Sequence, residues 1–308
     1  MATTTSITTT YAGEFAGKYI SAALLSADTI EGGGITIKPN VKFKEVMKTL
    51  STDAIVKDAT CDFSDTSTIT LAEKILQPEE FQVNLELCKK DFHSDWEAIS
   101  MGYSAFDELP SNFADFLIGH VAAKVAQKTE QTIWTGATAT AGEFNGFGAL
   151  LAADSDVVDV TGTAVTAANV ITEMGKVVDA IPTSVYGKED LYIYVSSNVA
   201  RAYVRALGGF GASGLGANGV RNEGTTWFNN QDLAFDGVKI FVASGMADDT
   251  MVAAQKSNLF FGTGLLADQN EVKLLDMADL DGSQNVRVVM RYTAGVQIGI
   301  GADIVYYA

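Results

Sequence analysis

The chain has 308 residues, of which 47% are hydrophobic and 19% charged, and its formal net charge at pH 7 is −17. The hydrophobic fraction excludes an intrinsically disordered protein. The excess of acidic residues excludes a surface built to neutralise nucleic-acid phosphates, because such surfaces concentrate Lys and Arg. No apolar run approaches the roughly 20 residues that a membrane-spanning helix needs. No signal-peptide pattern precedes the first positive charge, Lys18, so we expect a protein made and kept in the cytoplasm.

The first third of the sequence predicts an extended arm followed by β structure. Residues 1–10 are rich in Thr and lack apolar periodicity, which is typical of an arm ordered only by contact with another molecule. After a break at Gly32–Gly34, one or two helical turns are predicted over Phe43–Leu50. Strands are predicted over Thr68–Leu76 and residues 81–87. The apolar residues of the second strand alternate with polar ones, which indicates a half-buried antiparallel strand: Phe81, Val83, Leu85 and Leu87.

A hairpin of this kind has little hydrophobic core of its own. An isolated two-stranded ribbon is only marginally stable in water. We therefore expect the hairpin to lie on a partner.

The strongest helical signal begins after Pro110, with Ser111 as the predicted N-cap. Apolar residues recur every four positions from Phe113 to Val125, and the helix is predicted to end near Trp134. About 24 residues at a rise of 1.5 Å give a length of about 36 Å. This is long for a globular domain, where the average helix has about 11–12 residues.

The remaining elements mix helices and strands. Helices are predicted over 166–181 and 199–207, a Gly-rich loop over 208–219, and strands over 191–195, 238–243, 250–254, 272–275, 286–292 and from Gly295 onward. These elements do not alternate as regular βαβ units. The predicted fold class is therefore α+β.

No constellation of residues in the sequence predicts catalysis, a cofactor or a metal site. The two histidines, His93 and His120, have no nucleophile and acid in a recognisable motif. Cys88 and His93 lack a second pair of ligands for zinc. Cys61 and Cys88 are interpreted as buried, reduced thiols. The glycines from Gly209 to Gly214 match the dinucleotide fingerprint in letters only, because a helix precedes them where a strand is required.

The order of these elements resembles that of the major capsid proteins of tailed bacteriophages, which have the Hong Kong 97-type fold. The resemblance rests on the Thr-rich arm, the polar hairpin, the long helix 111–134, the Gly-rich link and the two-strand finish. Local segments agree with it. Residues 144–151 (FNGFGALL) are similar to the link after the family's long helix, and residues 258–265, 271–276 and 286–307 are similar to its C-terminal block.

The resemblance implies a chain of four parts. The parts are an N-terminal arm at 1–38, an E-loop region at 39–90, a peripheral (P) domain at 91–147 and 270–294, and an axial (A) domain at 148–269 and 295–308.

The resemblance also implies a structural function without enzyme activity. Copies would assemble into pentamers and hexamers of an icosahedral head in the virion, built in the host cytoplasm around double-stranded DNA that is not bound by sequence. Scaffolding, portal and decoration proteins are the further partners expected. No charged helical segment precedes the arm, so a separate scaffold is expected, and no lysine–asparagine crosslink is predicted. The predicted subunit contacts are Phe81, Val83, Leu85, Leu87, Arg201, Arg205, Gly209, Phe210 and Gly211.

Two alternatives stay open at this point. An encapsulin-type cellular nanocompartment uses the same fold, and the sequence separates it poorly from a phage capsid. A secreted surface-layer or adhesin protein would fit the richness in Thr and Gly, although the missing signal peptide counts against it.

Overall fold

The computed structural model describes residues 28–52, 55–59, 61, 65, 67–88, 111–207, 233–264, 273–278 and 282–308. The expectations for residues 1–27 and for the Gly-rich loop 208–219 lie outside the described residues. The helices of the described part are α1 (Asp28–Glu31), α2 (Ser111–Thr135), α3 (Phe147–Ala153), α4 (Val170–Asp179) and α5 (Ser197–Leu207).

The described part also contains thirteen strands. They are β1 (Thr36–Lys38), β2 (Glu45–Thr52), β3 (Ile69–Leu76), β4 (Glu79–Cys88), β5 (Val158–Val160), β6 (Leu191–Val195), β7 (Ala234–Phe235), β8 (Val238–Val242), β9 (Met251–Gln255), β10 (Leu259–Gly262), β11 (Lys273–Asp276), β12 (Asn285–Ile298) and β13 (Val305–Tyr307). Helices and strands are mixed without regular alternation, which confirms the α+β class.

The chain forms two compact units. Unit 1 contains the described residues within 80–128 and 265–293, and unit 2 contains those within 27–79, 129–264 and 294–308.

Unit 2 is built around a six-stranded sheet with the strand order β5-β13-β9-β6-β8-β7. Its central strands are short apolar runs that are buried on both faces, such as the LYIYV segment of β6. Helix α4 has apolar residues at helical spacing, and these form one core with α5 and one face of the sheet. Alternate residues of the strands complete this core, among them Ile193, Ile240 and Ala253.

The opposite face of the sheet carries an aromatic cluster. The ring of Tyr194 lies 5.4 Å from Trp134 at the end of α2 and 5.5 Å from Phe241 on β8, measured between centroids. Trp134 also lies 5.3 Å from Phe147, the first residue of α3. Offset and tilted ring pairs at these distances are favourable beyond the area that they bury. The cluster therefore attaches the end of α2 and α3 to the sheet.

The long strand β12 contributes to both units. In unit 2 its last residues pair antiparallel with β10, which in turn pairs parallel with β1. In unit 1 its first residues pair antiparallel with β11, and β4 also pairs with β12. The sequence predicted two separate strands here, at 286–292 and from Gly295, but the structure has one continuous strand.

The long helix predicted over 111–134 is confirmed as Ser111–Thr135, and the helices and strands predicted between residues 166 and 254 are found with small shifts of their ends. One local prediction is wrong. Residues 43–50 were expected to be helical, but Glu45–Thr52 form strand β2. Phe43, Val46, Met47 and Leu50 follow helical spacing. Pairing with β3 satisfies the backbone of this segment as a strand instead.

Glu173 on α4 is a buried carboxylate with two partners in unit 2. It accepts a hydrogen bond of 2.7 Å from the hydroxyl of Tyr307, and the Nζ of Lys176 lies 2.8 Å from its Oε2. The hydrogen bond from Lys176, followed by that from Tyr307, lowers the pKa of Glu173. A carboxylate with a lowered pKa adds stability above its unfolded pKa, and this stability is lost as the pH falls through the folded pKa.

We expect E173Q to lower the free energy of unfolding at pH 7, by about 1.5–3 kcal/mol for the lost charge-assisted hydrogen bond. The difference from wild type should begin to shrink below about pH 4.5, the ordinary pKa of a glutamate in the unfolded chain, and should vanish as the pH falls through the lowered pKa of Glu173 in the folded protein. Denaturant unfolding of both proteins between pH 7 and pH 3 measures this difference in the free energy of unfolding. The control E189Q, which removes an exposed carboxylate of the same unit, should give no such trend. A difference that is constant with pH would contradict the assignment.

Candidate assembly surface

Strands β2 and β3 form a two-stranded antiparallel ribbon within unit 2. The register runs from Glu45 opposite Leu76 to Thr52 opposite Ile69. No third strand of the described chain joins this sheet. Within the described chain, the two outer edges of the ribbon are therefore unpaired.

One face of the ribbon is apolar, and we call it the ribbon face. Residues that pair across an antiparallel ladder point to the same side of the sheet. The ribbon face therefore carries the pairs Val46–Ile75, Lys48–Glu73, Leu50–Leu71 and Thr52–Ile69. Its large apolar side chains are well exposed: Val46 46%, Leu50 64%, Ile69 64%, Leu71 72% and Ile75 41%.

The opposite face of the ribbon is more polar. It carries Met47 opposite Lys74 and Thr49 opposite Ala72. The two faces differ because the side chains alternate along each strand. Beyond the paired residues, Ile55 and Val56 are also exposed, Val56 at 86%. The apolar exposure of the ribbon is thus concentrated on one face and beyond the end of β2.

The root of the ribbon is fixed to the rest of unit 2 by polar contacts. The Nζ of Lys74 lies 2.5 Å from Oδ2 of Asp154, and this hydrogen bond lowers the pKa of Asp154. The Nζ of Lys38 lies 3.0 Å from Oε1 of Glu45, the first residue of β2. The side-chain amide of Gln297 donates a hydrogen bond of 2.9 Å to the carbonyl of Ile75.

An apolar contact completes this anchor. Leu76 is fully buried and packs on Gly262 of β10, where an added Cβ would come within 2.9 Å of the Leu76 side chain. Glycine at this position therefore leaves room for the leucine. The ribbon is held at its root, and its paired length projects without a covering layer in the described chain.

The predicted contact row on β4 lies elsewhere. The ring of Phe81 stacks on Tyr292 of β12 at 5.5 Å, and Arg287 Nε donates a hydrogen bond of 2.8 Å to Glu86. From the first contact to the second, the position on β4 moves five residues forward and the position on β12 moves five residues back. This is the pattern of an antiparallel pair. Phe81 therefore shares a face with Tyr292 and with Met290 and Val288, which lie two and four residues before Tyr292 on β12 and are both buried.

The predicted hairpin between strands 68–76 and 81–87 is therefore wrong. β3 pairs with β2, and β4 pairs with β12. Only Gln77 and Pro78 separate β3 from β4. Tight two-residue hairpin turns need a positive φ at one or both central residues, and neither residue has one. Phe81, Val83 and Leu87 are half-buried on the sheet of unit 1, and Leu85 is more exposed. Whether these side chains also contact another subunit stays a prediction.

The other predicted contact residues are only partly described. Arg201 and Arg205 are exposed one helical turn apart on α5. Arg201 borders a cleft of about 1030 Å³ together with Lys239, and Asp28 and Glu31 line the same cleft. Gly209, Phe210 and Gly211 lie outside the described residues. The role of all five in subunit contacts stays a prediction.

The described residues contain no group of three or more His, Cys, Asp or Glu side chains that could hold a metal. His93 lies outside them. Cys61 is exposed, which corrects its interpretation as a buried thiol, and Cys88 is half-buried; neither is in a disulfide. Over the part of the chain that was searched, no helix has the length and apolarity needed to cross a bilayer.

The residues of the ribbon face were missed by sequence reasoning. The segment Glu45–Thr52 fits both a helical spacing and an alternating one, because Val46, Lys48 and Leu50 alternate with Met47 and Thr49. The β-branched residues Val46, Thr49 and Thr52 favour a strand. These β-branched residues, together with the β-rich segment 69–76, were the sequence features from which the ribbon could have been predicted.

Comparison with known proteins gives matches only among solved structures: no family model and no curated protein matches this chain. The capsid of the native GTA particle aligns over 94% of this chain and 93% of its own, with a TM-score of 0.63 and 13% identity. The capsid of Myoviridae phage XM1 aligns over 96% and 93%, with a TM-score of 0.58 and 13% identity. The capsid of cyanophage P-SCSP1u aligns over 97% and 91%, with a TM-score of 0.54 and 13% identity.

These likenesses extend over nearly the whole of each chain. At 13% identity they show the fold. The chain therefore has the fold found in phage capsid structures, as the order of its elements indicated.

The half-burial of Phe81 and Val83 on the sheet of unit 1 predicts that both side chains stabilise the subunit itself, and this can be tested. We expect F81S/V83S to lower the free energy of unfolding of the isolated subunit by about 1.5–3 kcal/mol, because two half-buried apolar side chains lose their contacts. The matched control Q82S/N84S changes the opposite face of the same strand and should unfold like wild type. Denaturant unfolding of the subunit measures both. A double mutant as stable as wild type would show that the row lies outside the core of the subunit.

Proposed function

We propose that this chain is the major capsid protein of a tailed bacteriophage, a structural subunit that assembles into the pentamers and hexamers of an icosahedral head. The single observation that carries the proposal is the ribbon face: an apolar surface on an anchored, two-stranded ribbon with no covering layer in the described chain. The fold shared with phage capsid structures supports it.

The size of the exposed apolar surface supports a role in assembly. Burying a large apolar side chain completely is worth about 1.5–3 kcal/mol. Five such side chains on the ribbon face are each 41–72% exposed. Covering them on another copy would therefore contribute several kcal/mol per ribbon. In a closed shell every copy makes the same contact, so this contribution is repeated throughout the particle.

The ribbon face also carries a means of orienting its partner. Lys48 and Glu73 lie opposite each other in the middle of the apolar pairs. A partner surface that buries the row must leave these two charges paired with each other or with groups of its own, because unpaired buried charges are costly. Apolar area thus provides adhesion, and the charge pair restricts the register in which two copies fit.

We propose that the chain is divided into an arm, an E-loop region, a P domain and an A domain, and the ribbon defines the E-loop region more closely. The E-loop region 39–90 has its projecting part between Glu45 and Leu76, whereas β4 at its end joins the sheet of unit 1. The other parts are the arm at 1–38, the P domain at 91–147 and 270–294, and the A domain at 148–269 and 295–308. The pairing of β4 and β11 with β12 in unit 1 supports a P-domain sheet built from distant parts of the chain.

We further propose that the shell, built in the host cytoplasm and carried in the virion, encloses double-stranded DNA by containment. A protein that grips nucleic acid neutralises phosphates with Lys and Arg, and releases counterions in doing so. This chain has 38 acidic and 21 basic residues. We count scaffolding, portal and decoration proteins among the possible further partners of such a head.

The ribbon face is tested by L50S/L71S, which changes one cross-strand pair. Both side chains are exposed in the subunit, so we expect its melting temperature to change little. Assembly into shells should fall at least tenfold, because the apolar contact is lost. The matched control T49S/A72S changes the opposite face and should assemble normally. Sedimentation velocity and negative-stain microscopy of all three proteins, with and without a scaffold, measure this.

Two outcomes would contradict the proposal in different ways. Normal shells from L50S/L71S would show that the ribbon face is not the contact. Wild-type protein that stays a stable monomer under every assembly condition would exclude the shell function itself.

Measurements of DNA binding test the proposal that the shell encloses DNA without binding it tightly. We expect the subunit to bind duplex DNA no more tightly than about 10⁻⁴–10⁻⁶ M at physiological salt, the range of non-specific binding, and with no preference among sequences. Gel-shift titrations with several unrelated duplexes measure this. A sub-micromolar complex with one sequence would contradict the proposal.

A further inference from the structure

Glu130 is a fully buried carboxylate in the C-terminal half of α2. Both of its oxygens accept hydrogen bonds from a single residue of the amino-terminal segment. Thr29 donates from its backbone amide to Oε2 at 3.1 Å and from its hydroxyl to Oε1 at 2.5 Å. Burial raises the pKa of Glu130, and the hydrogen bonds from Thr29 oppose that change. The two residues are 101 positions apart in sequence.

Three separate segments of unit 2 meet at this carboxylate. The indole Nε1 of Trp134 donates a hydrogen bond of 2.8 Å to the hydroxyl of Thr29. The backbone amide of Gly245 also donates to Glu130. A Cβ at Gly245 would come within 2.1 Å of the carbonyl oxygen of Glu130, so only glycine allows this approach. Beside it, the hydroxyl of Ser244 donates to Asp28 at 3.0 Å.

The segment that Glu130 holds is the one from which the chain continues into β1. Thr29 is fully buried, and the backbone amide of Gly34 donates to its carbonyl at 3.1 Å to close α1. The hydroxyl of Tyr194 donates to the carbonyl of Gly34. Residues 36–38 then pair with β10. In the amino-terminal segment 28–38, which we call the arm root, the first turn is thus bound through both oxygens of one buried acid, beside the contacts of Trp134 and Ser244.

We infer that Glu130 is the positioning residue of the arm root, and that it fixes the place of α1 at the start of the arm root. Satisfying a buried carboxylate requires donors on both oxygens, and Thr29 supplies a donor to each. When the arm root leaves its place, the backbone amide of Gly245 is the one donor to Glu130 that remains among the described residues. The buried charge therefore favours one docked position of the arm root. This inference rests on the proposed function only where it concerns assembly.

The experiment compares E130Q with E173Q in the full-length protein. Glutamine keeps the volume of Glu130 but cannot accept at both positions. E173Q removes the other fully paired buried carboxylate of unit 2, which does not touch the arm root. Hydrogen–deuterium exchange at residues 28–38 should be at least tenfold faster in E130Q than in E173Q, with similar exchange in β6 and β9. Equal exchange of the arm root in the two variants would overturn the inference.

A second variant covers the case in which E130Q fails to fold. T29V removes the hydroxyl and keeps the shape of the side chain, and it should also speed exchange at residues 30–38 relative to E173Q. Unchanged exchange in T29V would count against the inference.

The link to assembly is tested by restoring the position without the carboxylate. In a C61S/C88S background, D28C/S244C should form a disulfide across the contact that Asp28 and Ser244 now make. E130Q should assemble at least tenfold less than wild type, and oxidised E130Q/D28C/S244C should recover. No recovery, with wild type assembling, would overturn the positioning role. If wild type itself does not assemble, the proposed function fails, and the exchange comparison still decides the role of Glu130.

Discussion

A two-stranded ribbon cannot cover its own apolar face, because each of its strands contributes only one side chain in two to that face and no further layer lies over it. In this chain the ribbon of β2 and β3 exposes five large apolar side chains on one face. Its root is nevertheless fixed by the ion pairs of Lys38 and Lys74 and by the burial of Leu76. The subunit thus holds in place an apolar surface that no layer of the described chain covers.

The rest of unit 2 serves as the support for this surface. Its six-stranded sheet has a helical core on one face and an aromatic cluster on the other, centred on Tyr194 and Trp134. The ribbon root and the arm root are both attached to this unit by several contacts, which include the hydrogen bonds at Asp154 and Glu130. These contacts hold the ribbon root and the arm root in place on the unit.

Sequence reasoning found the elements whose pattern is decided locally. The long helix α2 and strands such as β6 have strong periodicity or a continuous apolar run, so their existence could be predicted. Pairing partners could not be predicted in the same way. β4 alternates as expected, but its register with β12 depends on a segment some two hundred residues away. Glu130 gave no signal either, because a single acid on a long helix is ordinarily a solvated residue. Its burial follows from the approach of Thr29 and Gly245.

The central claim is that another copy of the chain covers the ribbon face. It is tested most directly by thiol accessibility of L71C in the C61S/C88S background, because Leu71 is the most exposed large apolar side chain of the ribbon face. The rate of alkylation is measured in the free subunit and in purified particles, with T49C on the opposite face for comparison. The account predicts that assembly slows alkylation of L71C at least tenfold, and slows it more than alkylation of T49C. Equal alkylation of L71C before and after assembly would contradict it.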